Sequence, residues 1–502
     1  MTSAAPDNLA RARSRSGPVA IVDIGSNSVR LVIYESFSRT PAMVHNEKAV
    51  CAIGRNMVTS GRLNEDGIVL ALEALARFRM LADAHHVEMR EAVATAAARD
   101  AANGQEFVRH AEAKWGGPIR ILSGEEEASL AAEGVLAGIP QADGLAADLG
   151  GGSLDMVTIK GGKTGTGVTF PFGPLRLIDI AKGDPDKARK LVDKGLDGLQ
   201  KLGPLGGKSI YAVGGVWRSF ARVDMENRKY PLHVLHDYAI PRGRALELCD
   251  LLARQSKKSL DLMRVVSRRR AEALPYGSVV LERLLESTGV KDVVVSAYGV
   301  REGLLHAQLP EAERAKDPLL EFAAATNARV SRTPDHANEL FKWMEPLFPT
   351  ERADVCRIRQ AICLFSDIGW RRHPDDRAIG AFNQVVTAPF AGAGHTARAL
   401  IATAIFHRYS GDEDFPREIS AHDLLSNDED RLALSIGLAA RLAFSLSGSS
   451  TGELSHYKIR LTPTRVLLDV SRRREPIAGE PVQKRLGALA AALDRKGEIL
   501  IG

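Results

Sequence analysis

The chain has 502 residues, of which 45% are hydrophobic and only 5% aromatic, with 67 basic and 62 acidic side chains for a net charge of +5. That is core enough for about three domains. The charge balance excludes a polycation that coats nucleic acid, and no apolar run reaches the ~18 residues that cross a bilayer. The four cysteines, Cys51, Cys249, Cys356 and Cys363, are scattered without metal-site spacing. They exclude a disulfide scaffold and point to a reduced, cytoplasmic setting.

Residues 1–17 are basic and Ser-rich with no apolar h-region, so a disordered tail is expected and not a signal peptide. Val19 to Tyr34, VAIVDIGSNSVRLVIY, reads as strand, Gly turn, strand, with a third strand around Ala42 to Val50. Leu63, Ile68, Leu72, Leu75, Phe78 and Leu81 then recur at helical spacing. A strand through Ala92 to Thr95 precedes a helix from about Gly104. Arg99 lies just past that strand, where α/β sheets place ligand groups, and is a candidate phosphate clamp.

IRILSGEEEA makes a short strand and a helix opened by a capping box, with Ser123 as N-cap and Glu126 three residues later. Acidic residues in a first turn are ordinary partners of the helix dipole. Three in a row, Glu125, Glu126 and Glu127, exceed what a cap requires. One of them, ionised at neutral pH, could take a proton from a water attacking phosphorus.

Gly144 to Lys160, GLAADLGGGSLDMVTIK, repeats the first hairpin. Aligned without a gap, Asp23 falls on Asp148, Gly25 on Gly150, Ser28 on Ser153 and Arg30 on Asp155, a period of 125 residues. Glycines let backbone N–H groups converge on an anion. An Asp at the strand end, itself anionic, suits a divalent cation that bridges to phosphate oxygens. Two copies suggest two similar half-domains across a cleft. This arrangement resembles the actin, Hsp70 and sugar-kinase superfamily, which implies an α/β fold with two RNase H-like half-domains around a phosphate cleft.

Further along, TFPFGPLRLID is expected as a strand leading to a turn, KARKLVDKGLDGLQKL as a helix, KLGPLGGK as a loop and SIYAVGG as a buried strand ending in a glycine turn. His233 and His236 lack a third ligand and read as structural. After Leu305, HAQLPEAERAKDPL reads as a linker. From about Leu319 the chain is mostly helical, ending in strands within YKIRLTPTRVLLDV and a helix near Val482 to Asp494. The expected domains are 18–130, 131–308 and 318–502. Arg264 with Arg268 to Arg270, Arg371 with Arg372, and Arg472 to Arg474 are candidate tracks for an elongated anion.

DIGSNSVRLVI, ATAAARDAANG, ILSGEEEA, DLGGGSLD, AVGGVWR, RRRAEALPYGSVVLE and AYGVREGLL occur in the order seen in the exopolyphosphatase and guanosine pentaphosphate phosphohydrolase (Ppx/GppA) family. The chain resembles that family from Val19 to about Leu305. The resemblance implies Glu127, directly before Ala128 in the SGxxEA pattern, as general base. It implies Asp148 and Asp155 as the carboxylates associated with Mg2+. Gly150, Gly151, Gly152 and Ser153 would cradle phosphate, joined by Asp23, Gly25, Ser26, Asn27, Ser28, Arg99 and the turn Gly214-Gly215.

Two positions depart from the family: Asp155 stands for Glu and Val216 for Thr. The shorter Asp155 makes a water-mediated metal contact plausible, and Val216 lacks a hydroxyl for phosphate. The helical remainder resembles the HD-like C-terminal domain of long members. Its HD pair falls on Ser366-Asp367, without the histidine; His373, His395 and His407 do not restore a ligand set, and His422-Asp423 lies in a polar loop. A non-catalytic extension is expected there. No feature identifies a sugar pocket, so water is the expected acceptor.

The activity implied is Mg2+-dependent, processive removal of the terminal phosphate of inorganic polyphosphate, threaded past Arg371 and Arg372. The enzyme would be a cytoplasmic homodimer that binds neither membrane nor nucleic acid. Two alternatives stay open: a phosphohydrolase of guanosine pentaphosphate (pppGpp), with ppGpp as a related ligand, and a catalytically weak sensor of polyphosphate or alarmone.

Overall fold

The computed structural model describes residues 17–411 and 420–502. The expected tail, apart from Gly17, lies outside them. β1 (Val19–Ile24) and β2 (Ser28–Tyr34) are rich in Val and Ile and buried almost throughout, as suits central strands covered on both faces. With β3 (Met43–Val50), β4 (Met89–Ala94) and β5 (Arg120–Ile121) they form a sheet of order β3-β2-β1-β4-β5. β1 pairs antiparallel with β2 and parallel with β4.

The second sheet repeats this plan. It comprises β6 (Gly144–Leu149), β7 (Leu154–Lys160), β8 (Lys163–Phe170), β9 (Ser209–Val213), β10 (Tyr238–Pro241) and β11 (Asp292–Val295), in the order β10-β11-β9-β6-β7-β8. Moving β1 along the 125-residue period lands on β6. Both hairpins close on the same backbone bond, Gly25 N–H to Ser28 O and Gly150 N–H to Ser153 O, each 3.0 Å.

The helices of this part include α1 (Met57–Ser60), α2 (Glu65–Ala84), α3 (Ala96–Asp100), α4 (Gly104–Trp115), α5 (Gly124–Gly138), α6 (Pro174–Ala181), α7 (Pro185–Gly195), α8 (Gly215–Asn227), α9 (Arg242–Ala253), α10 (Arg268–Ala271), α11 (Leu274–Thr288) and α12 (Val300–Gln308), with a further short helix at Lys257–Asp261. Ala71, Leu75, Phe78 and Ala82 of α2 join the core under the first sheet, as the periodicity predicts. α5 links the two sheets, so the boundary expected at residue 130 falls inside one continuous helix.

α5 crosses α12 closely. A Cβ on Gly134 would sit 2.2 Å from Gly299 O, and one on Gly303 would sit 1.8 Å from Leu130 O. Only side-chain-free positions allow this approach.

Two expectations fail locally. In TFPFGPLRLID the strand ends at Phe170 and Pro174 opens α6, because proline at the first helical position is already set for helix and Leu177 and Ala181 bury on one side. KARKLVDKGLDGLQKL is not one helix: α7 stops at Gly195 and a 3₁₀ turn runs over Leu196–Leu202.

The chain divides into two compact units, the first ending at Lys316 and the second being Asp317–Gly502. In the expected linker α12 persists to Gln308 and a short helix covers Glu311–Arg314. The second unit contains α13 (Pro318–Val330), α14 (Ala353–Phe365), α15 (His395–Ser410), α16 (Asn427–Ser447) and α17 (Glu480–Ala492). It also has a sheet of order β12-β13-β14: β12 (Tyr457–Leu461), β13 (Arg465–Val470) and β14 (Lys496–Ile501). The last strand was not expected; it pairs in parallel with β13. Among the described residues no helix is long and apolar enough to cross a membrane.

Candidate active site

The two hairpin turns meet across the cleft between the sheets. A Cβ on Gly151 would lie 3.3 Å from Ser26 Cβ, and one on Gly152 would lie 3.5 Å from Ser26 Oγ. None of Gly150, Gly151 and Gly152 has positive φ, so the turn itself does not require glycine. What the three glycines provide is bare backbone. Gly214 differs: at φ +109°, with Leu149 O only 2.5 Å from where its Cβ would stand, it admits no other residue without strain. It starts α8 beside β6 and brings Gly215 to the site.

The first turn is pinned from behind. Asn27 O accepts from Cys51 N–H and Ala52 N–H at 3.2 and 3.0 Å, and Ser26 O accepts from Gly54 N–H at 2.9 Å. In the second hairpin Ser153 Oγ donates to Asp155 Oδ2 at 2.7 Å, and Thr169 bonds the same carboxylate. The Ser153 hydroxyl is therefore engaged with Asp155. Asp155 is 1% exposed, and its Oδ1 has no partner among the described residues. Val216 packs against the core beside Gly277.

The helix start sorts the three glutamates. Ser123 Oγ accepts from Glu126 N–H at 3.1 Å while the Glu126 carboxylate accepts from Ser123 N–H at 2.8 Å, completing the capping box. Glu125 and Glu126 are exposed; Glu127 is turned inward and 7% exposed. Arg99 Nη1 lies 3.4 Å from Glu127 Oε2 and 3.0 Å from Leu122 O, and its Nε is 3.1 Å from Asp100 Oδ1. Arg99 is thus tied to Glu127.

These acids outnumber their counter-charges. Burial, then the charges of Asp155 and Asp148, push Glu127 well above the ordinary carboxylate range, with Arg99 opposing. Burial and Asp155 push Asp148 up to about 7. Burial raises Asp23, offset by Arg301, and raises Asp155 against its Ser153 and Thr169 bonds. A divalent cation would supply the missing charge, and the orphaned Asp155 Oδ1 with Asp148 is a fitting donor pair. Among the described residues no three His, Cys, Asp or Glu side chains gather to hold a metal, so water and phosphate oxygens would complete its shell.

Three cations that sequence reasoning did not assign stand beside these acids. Arg30 faces Asp23 across the first hairpin, where Asp155 faces Asp148 in the second. Arg301, at the start of α12, has Nη1 3.8 Å from Asp23 Oδ2, and its buried Nε lies 3.9 Å from Glu302 Oε1 and makes no hydrogen bond among the described residues. Arg218 on α8 donates from Nε to Gly214 O at 3.1 Å and from Nη1 to Ala297 O at 3.4 Å. Their signals were present: Arg30 as the charge-reversed partner of Asp155 in the repeat, the others in AVGGVWR and AYGVREGLL.

Elsewhere the candidates have local partners. Arg371 lies over the Trp370 ring at 4.8 Å, Arg372 pairs with Asp376 at 3.5 Å, and Arg474 pairs with Glu453. His236 is buried, 3.2 Å from Gly138 O, and accepts from Ala297 N–H at 3.3 Å; His233 is exposed. Asp367, the residue left of the HD pair, accepts from Arg332 N–H at 2.9 Å and Nε at 3.1 Å. A guanidinium thus stands where a metal would be sought. His395 and His407 are buried, His373 is exposed, and His422 pairs with Asp430.

Two mixed sheets, each led by an Asp-ended hairpin and facing a pocket of carboxylates and bare glycine backbone, define an actin-like, phosphate-handling class of protein. The chain belongs to the Ppx/GppA phosphatase family, whose members are hydrolases of phosphoanhydrides: the family model matches residues 32–312, and that for the exopolyphosphatase C-terminal domain matches 319–500. It is similar to Exopolyphosphatase 2 of Mycobacterium tuberculosis, 26% identical over 309 residues, 57% of this chain and 97% of that one. It is also similar to Retrograde regulation protein 2 of Saccharomyces cerevisiae, 26% identical over 453 residues, 82% of this chain and 76% of that one. Among solved structures, the PPX-GPPA enzyme of Aquifex aeolicus shares 27% identity at a TM-score of 0.50, covering 58% of this chain and 98% of that one.

Proposed function

We propose that the chain is an exopolyphosphatase that removes the terminal phosphate of inorganic polyphosphate processively and with Mg2+. The observation that carries the reading is one inward glutamate, Glu127, within reach of the charges of Asp155 and Asp148, the under-compensated aspartates that flank the Gly150 to Gly152 turn. The turns Gly25 to Ser28 and Gly150 to Ser153 offer backbone N–H groups to the end phosphate. Arg301, Arg218 and Arg30 neutralise its oxygens on the other side. Asp148 and Asp155 would hold the Mg2+, which supplies Lewis-acid charge neutralisation when bound. Glu127 accepts the proton of an in-line water, its basicity raised by burial and its carboxylate oriented by Arg99. We take the enzyme to work as a cytoplasmic homodimer.

The test is phosphate release by the purified chain with Mg2+, from long-chain polyphosphate and from guanosine pentaphosphate at matched terminal-phosphate concentration. Release mainly from polyphosphate, reduced about 100-fold or more by Glu127→Ala, is the expected result. Release mainly from the nucleotide would move the assignment to pppGpp.

A regulatory reading has its own support. The similarity to Retrograde regulation protein 2 spans both units of the chain, whereas that to Exopolyphosphatase 2 covers 57% of it. Binding of polyphosphate without release of phosphate would favour it.

A further inference from the structure

A cavity of about 720 Å³ lies in the first unit outside the active site, between α6, the start of α7, the chain just past α9 and the start of α11. None of the residues assigned to the base, the metal or the phosphate turns lines it. Sites for small molecules have volumes of about 300–1,000 Å³, and they join apolar walls to a few converging polar groups.

Both parts are present. Ile178 and Pro275 contribute apolar surface, and Arg189, Arg254 and Lys257 bring three cations against the two acids Asp186 and Glu272. The acids are already engaged, Asp186 with Arg189 Nη1 at 2.6 Å and Glu272 with Lys257 Nζ at 3.4 Å. Tyr276 also lines the cavity; it is only 4% exposed, and its hydroxyl makes no hydrogen bond among the described residues. Burial, then the charges of Asp184 and Glu272, raise its pKa, so it stays a neutral donor. A buried hydroxyl without a partner is a cost to the fold that an acceptor on a ligand would remove.

α6 separates this cavity from the phosphate turns. Ile178 faces the cavity, whereas Leu175, Arg176 and Asp179 face Ser26, Gly151 and Gly152, where the space left is about 20 Å³. The start of the helix sits directly on the second turn: Leu175 N–H donates to Gly151 O at 3.0 Å, and a Cβ on Gly173 would come within 2.3 Å of the Gly152 carbonyl carbon. With so little space between them, a shift of α6 is passed to the backbone that cradles phosphate. The two faces of the helix also sense each other electrostatically: burial and then the charge of Glu272, on the cavity wall, raise the Asp179 carboxyl on the far side.

We propose that this cavity binds a small organic anion with a flat apolar body, held by Tyr276, Arg254 and Lys257, and that the occupant presses α6 onto the Gly151 turn and slows phosphate release. A bare phosphate chain has no apolar surface to set against Ile178 and Pro275, so the ligand is an effector and not the substrate. Only the effect on turnover rests on the reading of the active site given above.

The experiment uses the full chain and anilinonaphthalenesulfonate, an aromatic anion with no phosphoanhydride to cleave. Binding is followed by the fluorescence of the dye. Phosphate release with Mg2+ is measured over the same titration, from whichever of polyphosphate and guanosine pentaphosphate the parent hydrolyses. Saturable binding is expected, and polyphosphate should not displace the dye from the Glu127→Ala chain. Arg254→Glu with Lys257→Glu, both at exposed positions, should weaken it about tenfold or more. Tyr276→Phe, which removes only the hydroxyl, should weaken it about threefold. Saturating dye is expected to slow phosphate release by the parent about fivefold or more, and the same dye concentration should leave the double variant unaffected. Absence of saturable binding, displacement by polyphosphate, or binding indifferent to both the double variant and Tyr276→Phe would overturn the site. Binding that meets these criteria with phosphate release unchanged would overturn the control through α6. Because binding is read without turnover, either result stands apart from failure of the exopolyphosphatase reading.

Discussion

At the scale of single residues the site is a problem of charge. Glu127 and Asp155 are buried, Asp148 and Asp23 are half-buried near them, and each is raised by burial. For Glu127 the consequence is kinetic. The acid limb of kcat/KM for polyphosphate is expected well above the ordinary glutamate value near 4.3; a limb at or below that value would rule out Glu127 as the base. For Asp148 the consequence is also thermodynamic. A carboxyl near 7 in the folded chain, against about 3.9 unfolded, contributes stability that is full below the unfolded value and lost as pH rises through 7. In metal-free protein Asp148→Asn should therefore raise the melting temperature at pH 8 and change it little at pH 4. Mg2+ should stabilise the parent at pH 8 more than the variant. An Asn variant less stable than the parent at pH 8 would show that Asp148 is well compensated without metal.

At the scale of elements, α5 and α12 carry the site between them. α5 begins three residues before Glu127, and α12 begins one residue before Arg301. Gly134 and Gly303 let them touch, so a methyl at Gly303 must drive them apart. Gly303→Ala is expected to cost about 1–3 kcal/mol in denaturant unfolding and to reduce activity beyond the loss of folded protein. Wild-type stability in that variant would mean that the crossing yields easily. Ser123→Ala removes the cap that starts α5 and is expected to cost about 1 kcal/mol, read from the same unfolding curves.

At the scale of the whole molecule, the units divide the chemistry. All the candidate acids lie before Lys316, and in the second unit Arg332 fills the place of a cation beside Asp367. Mg2+ titration of the full chain should show one class of site that disappears in Asp148→Asn. A second class surviving that change would place metal elsewhere. Arg332→Ala should leave the first class untouched and destabilise the chain by about 2 kcal/mol, since Asp367 is then left 8% exposed without its partner.

Much of this was legible in the chain itself. The alternation of apolar runs, the 125-residue repeat and the capping box depend on neighbours in sequence, and local sterics and hydrogen bonds decide them. The hairpins, the helix start and the acids at strand ends follow from that order alone. What tertiary structure decided was which side chains share a space. It turned Glu127 inward and left Glu125 and Glu126 in water, tied Arg99 to Glu127, and brought Arg30 and Arg301 to Asp23 and Arg218 to Asp148, although these three arginines lie 83 or more residues apart in pairs. It also converted PLRLID to helix and added β14, both through packing partners distant in the chain. Electrostatic environment and burial are sums over such distant neighbours, so residue types announce that a phosphate site exists, while only the fold assigns each group its charge, its partner and its role.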